Sequence, residues 1–243
     1  MADAYRLTLL LHIVAGCIGL AAFWTPALAR KGGTLHVRAG RVFYWMTSAV
    51  AATGLVMATL LLINPPHPRA RLVVPFLYYL LLITFTPVYH GVRVLATRRN
   101  PEQLRTRFHT ALSLTTIAAS TVMVVLGIVA RQPLFLFMSP IGFLIGAGNL
   151  QFARRPYPTP MAWWYEHMGS MMGGGLAFHT AFLVLGAGRL FGFQIEGPTA
   201  IFFWLLPTLI GVPATEIWTR YYRRRFRETL GVPSFSSASV PRG

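Results

Sequence analysis

Seven apolar stretches, separated by short connections rich in arginine, constrain this chain more than any other feature. A membrane-spanning helix needs about 20 mainly apolar residues, because the hydrocarbon layer is about 30 Å thick and a helix rises about 1.5 Å per residue. Seven segments meet that length, near residues 7–29, 42–63, 72–95, 108–130, 134–152, 162–189 and 199–220. No run alternates as a barrel strand does, and a lipid-facing backbone must satisfy its own N–H and C=O groups, so each segment is expected to be helical. The expected fold is an all-α integral membrane bundle of seven transmembrane helices over residues 1–220. A basic tail from 221 to 243 follows, its Ser- and Pro-rich end expected to be disordered.

Charge supports the same class. The net charge is +16, with 54% hydrophobic residues and only 12% charged. Of the 22 Lys and Arg residues, 17 fall on the side reached after the first, third, fifth and seventh spans, and five on the other. This asymmetry orients the chain with its N-terminus outside and its C-terminus cytoplasmic. The basic character is thus a topology signal, and membrane lipids rather than nucleic acid are the expected partners. Arg30-Lys31 stops the first span as an ordinary transmembrane segment rather than a cleaved signal. Cys17, the single cysteine, lies in that span and is expected to be buried and inert. Asn64 to Pro68 and Gly197-Pro198 mark turns, while Pro75, Pro87, Pro140, Pro207 and Pro213 fall inside spans, where they are expected to kink them.

Ionisable groups within these spans are costly and are expected to face the bundle interior. His36 is placed in the first cytoplasmic loop. His90, His109, Glu166 and His167 gather near the cytoplasmic ends of three spans, whereas His12 and His179 fall in the outer half. On the fourth span His109, Ser113, Thr116 and Ser120 form a polar stripe; on the third, Tyr79, Ile83, Thr86 and His90 share a face. Both stripes must face protein, either for interhelical hydrogen bonding or as walls of a proton or cofactor site.

The segment WWYEHMGSMMGGGLAFHT, residues 163–180, carries His167 and His179 about 18 Å apart along a helix, the axial separation of two stacked haems. Twelve steps of about 100° leave the two rings about 120° apart, so one straight helix aims them at different neighbours unless Gly173-Gly174-Gly175 bends it. These glycines serve close packing or make room for a flat ring.

A b-type haem or quinone-linked redox protein is the leading functional expectation. His12 and His179 would form an outer haem site, and His90 or His109 with His167 an inner one. The alternative is a zinc hydrolase with His90, His109 and His167 as metal ligands and Glu166 as catalytic base. A non-catalytic transporter or assembly protein, depending on Glu166 and Glu216, needs no cofactor.

Residues 11–47 carry a longer pattern: His12, Gly16, Lys31, Gly32, His36, Gly40, Arg41 and Phe43. In these positions the chain resembles a family of bacterial polytopic membrane proteins with a domain of unknown function. That resemblance implies multi-pass residence in a bacterial inner membrane and assigns no reaction. To seven-span hydrolases of the ceramidase type the chain is similar in helix count alone, since its only aspartate, Asp3, lies outside every span. The loop RKGGTLHVRAGR is expected to set topology by charge or to hold an anionic headgroup, a quinone head or a haem propionate.

Overall fold

The computed structural model describes residues 2–155, 158–192 and 199–226. Seven helices among them are long and apolar enough to cross a membrane, and these residues contain no strand. In chain order they are α1 (Ala2–Leu28), α2 (Thr34–Ile63), α3 (Val74–Ala96), α4 (Arg107–Val129), α5 (Pro133–Arg154), α6 (Ala162–Ala181) and α8 (Thr199–Arg225). After Ala181 the sixth helix widens into a π-helical turn, Phe182–Ala187, and closes with α7 (Gly188–Phe191). The turn at Gly197-Pro198 and the tail from Arg227 lie outside the described residues.

α3 is the axis of the bundle. It packs against α2, α4, α5 and α6, and its buried face includes Phe76, Tyr79, Ile83, Thr86 and His90. Pro87 lies mid-helix in α3 and cannot donate to the Ile83 carbonyl. Pro75, in contrast, occupies the opening turn of α3, where a missing N–H leaves no intrahelical bond unmade, so it starts the helix and does not kink it. Aromatic packing of Phe76 between Phe135 and Trp204 closes one end of the core, and Phe23, Phe43 and Phe178 form a second cluster where α1, α2 and α6 meet.

Two expectations are corrected here. The second helix begins at Thr34, eight residues before its apolar run, so His36 sits in its opening turn and not in a loop. Hydropathy marks where hydrocarbon begins, and the segment of residues 34–41, with its cations Arg38 and Arg41, continues the helix beyond that point. The connection shrinks to a turn through Gly32, whose φ of 76° suits glycine. Cys17 is exposed on the bundle surface, not buried. A Cβ at its neighbour Gly16 would meet no atom within 4 Å, so no other helix among the described residues covers α1 there.

Two cations, Lys31 and Arg105, and one histidine, His36, cap helices at the end where α4 and α6 begin. Lys31 Nζ donates to the Pro26 and Ala27 carbonyls at 2.9 and 2.6 Å, and His36 Nδ1 donates to Pro26 O at 3.0 Å. Burial pushes the Lys31 ammonium below the usual lysine range. Arg105 donates to the carbonyls of Ala153 and Arg154 at the close of α5. Lys31 and Arg105 each place positive charge on the negative end of a helix dipole, while His36 caps as a hydrogen-bond donor. The "RKGG" loop is therefore engaged with its own chain through Lys31.

Candidate functional site

At this basic end α3, α4 and α6 bring three ionisable side chains into one hydrogen-bonded row. His90 is fully buried; its Nδ1 lies 2.8 Å from His109 Nε2 and its Nε2 lies 2.9 Å from Glu166 Oε1. His109 is 1% exposed and Glu166 is 30% exposed, so the row runs from the protein interior to an accessible carboxylate. Phe152 stands edge-on to the His90 ring, with centroids 5.8 Å apart.

Local structure explains how the row forms. Thr106 is the N-cap of α4: its Oγ1 accepts from the His109 backbone N–H at 3.1 Å, fixing His109 in the first turn. Close approach of α6 to α3 depends on glycines. A Cβ added at Gly91 would lie 2.9 Å from Ser170 Cβ and 3.3 Å from His167 O, and one at Gly174 would collide with Val88. Without side chains there, α6 settles near enough for Glu166 to reach His90.

Proton positions follow from donor and acceptor capacity. With Glu166 ionised, His90 Nε2–H donates to the carboxylate, leaving the His90 Nδ1 lone pair to accept from His109 Nε2–H. His109 Nδ1 then holds a lone pair, buried and without a partner among the described residues. An unmet polar atom in such a place costs about 1–3 kcal/mol, so it stands out as an entry point for a proton or a water.

The rest of the polar stripe is satisfied. Ser113, Thr116 and Ser120 are buried and donate to the carbonyls one turn back, at His109, Leu112 and Thr116. Thr86 and Thr116 hydroxyls lie 3.0 Å apart, and Tyr79 Oη donates to Met138 O at 2.7 Å while accepting from Gly142 N at 3.0 Å. Ser113, Thr116 and Ser120 thus bond within α4 itself, while the Thr86–Thr116 and Tyr79 bonds join α3 to α4 and α5, the interhelical bonding that one of the two sequence readings anticipates.

The haem pairings expected from the sequence are not assembled. His12 Nδ1 lies 2.9 Å from Thr53 Oγ1; because that hydroxyl donates to Ala49 O at 2.7 Å, the imidazole is the donor to it. His179 sits instead beside Trp24, whose Nε1 donates to His179 Nε2 at 3.0 Å, while His179 Nδ1 donates to Gly175 O at 2.7 Å. Trp24 is twelve residues, about 18 Å, along α1 from His12, so the two imidazoles occupy different levels. α6 runs unbroken through its three glycines, and its two imidazoles face different helices: His167 faces α3, donating from Nδ1 to Gly91 O at 2.9 Å, and His179 faces α1. His90 and His109, either of which is expected from the sequence to pair with His167, bond directly to each other. No group of three or more His, Cys, Asp or Glu among the described residues is arranged to hold a metal ion, since His167 turns to the backbone and away from the His90–His109 pair.

Sequence reasoning missed one member of this region. Asn149, in α5, is 5% exposed and its Nδ2 has no partner among the described residues. Its signal was available: an amide side chain in an apolar span demands a partner as a histidine does. Asn149 lines a cleft of about 260 Å³ together with Glu166, Ser170, Pro87, Gly148 and Gly173.

Comparison with protein-family models, with curated proteins and with solved structures finds no match to this chain. Functional assignment therefore rests on the geometry of this multi-pass helical bundle, whose Glu166, His90 and His109 form a hydrogen-bonded row ending at an open cleft.

Proposed function

We propose that this multi-pass protein of the bacterial inner membrane relays protons through His109, His90 and Glu166 to membrane-embedded chemistry of the quinone-linked class. The single observation carrying the proposal is the continuous row of two bonds, 2.8 and 2.9 Å, from a buried lone pair on His109 to the carboxylate of Glu166. A proton arriving at His109 Nδ1 releases the Nε2 proton to His90 Nδ1; His90 in turn passes its Nε2 proton to Glu166. One proton enters, both imidazoles end neutral with hydrogen on Nδ1, and the carboxyl is protonated. Glu166 then faces the cleft as a proton donor; once its proton has left, exchange of the hydrogen from Nδ1 to Nε2 on each imidazole returns the row to its starting state. The charge asymmetry of the loops supports a cytoplasmic location for this end, and with it a cytoplasmic source of protons.

Infrared spectroscopy after a pH jump tests the relay. In reconstituted protein the C=O band of protonated Glu166, identified by its absence in Glu166→Gln, should appear fast in the native chain. In His109→Leu it should appear more slowly, on the order of a hundredfold, as expected when a positioned proton-transfer group is removed. Equal rates in the two proteins would remove the relay.

A further inference from the structure

The cleft beside Glu166 has the composition of a binding site. Its floor is Pro87 of α3, one wall is Leu144 to Asn149 of α5, and the other is Glu166 to Gly173 of α6. Leu144 at its rim is 75% exposed on the bundle surface, so the opening faces the hydrocarbon layer and not an aqueous loop.

Three features narrow the occupant. Gly148, Gly169 and Gly173 all line the cleft, and a Cβ on any of them would meet no atom within 4 Å. These glycines are thus not needed for helix packing, unlike Gly174 and Gly91, and they leave a slot with flat walls. Asn149, buried and with its Nδ2 without a partner among the described residues, lines the cleft together with Ser170 and Glu166. No Lys or Arg lines the cleft, while an acid does, so a phosphate or carboxylate head would meet repulsion and no counter-charge.

We propose that this cleft binds the neutral, carbonyl-bearing ring of a membrane-soluble quinone, with Asn149 Nδ2 donating to one carbonyl and protonated Glu166 to a ring oxygen. About 260 Å³ accommodates a ring head, and the hydrocarbon tail of the ligand extends past Leu144 into lipid. The inference deepens the relay reading by giving Glu166 something to face, and its test is separable from that of the relay.

The full-length protein in nanodiscs is photolabelled with an azido-substituted decyl benzoquinone, in competition with the unmodified decyl benzoquinone, and the labelled peptides are mapped. Labelling should concentrate on residues 144–149 and 166–173 and be displaced by the competitor. Gly148→Phe, whose Cβ meets no atom within 4 Å and whose ring would occupy the slot, should cut that labelling about tenfold while melting like the native protein. Asn149→Leu should weaken competition about tenfold, the effect of one lost hydrogen bond that leaves a ligand carbonyl unmet. Labelling spread along all lipid-facing helices, or unchanged in Gly148→Phe, would overturn the proposal. So would labelling of the same peptides by a photoactivatable phospholipid that the quinone fails to displace, the outcome for a groove filled by acyl chains. His109→Leu keeps the cleft intact: site labelling retained in that variant with unaltered proton kinetics would sink the relay alone, and lost cleft specificity with intact relay kinetics would sink the ligand alone.

Discussion

Gly174→Ala will destabilise the bundle by about 1–3 kcal/mol, the cost of overpacking a close interface, whereas Gly173→Ala one residue away will stay within about 0.5 kcal/mol of the native protein. A Cβ at Gly174 collides with Val88 and lies 3.4 Å from Thr84 O, both on α3, whereas a Cβ at Gly173 meets nothing within 4 Å. The methyl group of Gly174→Ala therefore acts as a wedge between α3 and α6. Those helices carry His90 and Glu166, so the wedge should lengthen the bond between them as well as lower stability. Gly174→Leu will enlarge both effects. Thermal unfolding of the three variants in one detergent gives the ranking; equal melting of Gly173→Ala and Gly174→Ala would show that the two helices are not in close contact there.

His90→Leu is expected to be the most damaging single change within the polar row, at about 3 kcal/mol. It removes both bonds at once and strands the His109 Nε2 donor in a fully buried position, at a cost of about 1–3 kcal/mol, while the exposed side of Glu166 softens the loss at the other end. That exceeds the ~0.6 kcal/mol of an average interhelical hydrogen bond in a membrane, because the stranded group has no other partner to turn to. His109→Leu removes one bond together with the unpartnered nitrogen, and should cost less. Combining the two should cost less than their sum, since the double variant strands neither imidazole of the pair. Additive losses in a double-mutant cycle would mean that the rings are not bonded to each other.

Helix number and the buried stripes were legible because both rest on strong local physics. Apolar length sets the seven spans, and a 3.6-residue period puts Tyr79, Thr86 and His90 on one face and His109, Ser113, Thr116 and Ser120 on another; all seven are buried. The clustering of His90, His109 and Glu166 at one end also followed from topology, which places the close of α3 and the starts of α4 and α6 together. Partner choice was not legible. Whether His167 or Glu166 meets His90 depends on one step of about 100° around α6, and on the depth to which Gly91 and Gly174 let that helix approach. The pairing of His12 with His179 failed for a related reason: counting residues from span ends gives depth only if helices are upright and aligned, yet α6 meets α1 at Phe23 and Trp24, well past His12. Helix ends were the third gap. Thr34 to Arg41 and Tyr221 to Arg225 are polar and helical at once, and hydropathy reports only the first property.

Nitrogen NMR of protein labelled with 15N-histidine and reconstituted in lipid tests the hydrogen-bonded row most directly. A coupling between two imidazole nitrogens through a shared proton is predicted, assigned to His90 Nδ1 and His109 Nε2 by its loss in both His90→Gln and His109→Gln, with the second His90 nitrogen shifting in Glu166→Gln. Two unconnected rings, with no coupling in the native protein and no response of His90 to Glu166→Gln, would contradict the relay at its foundation.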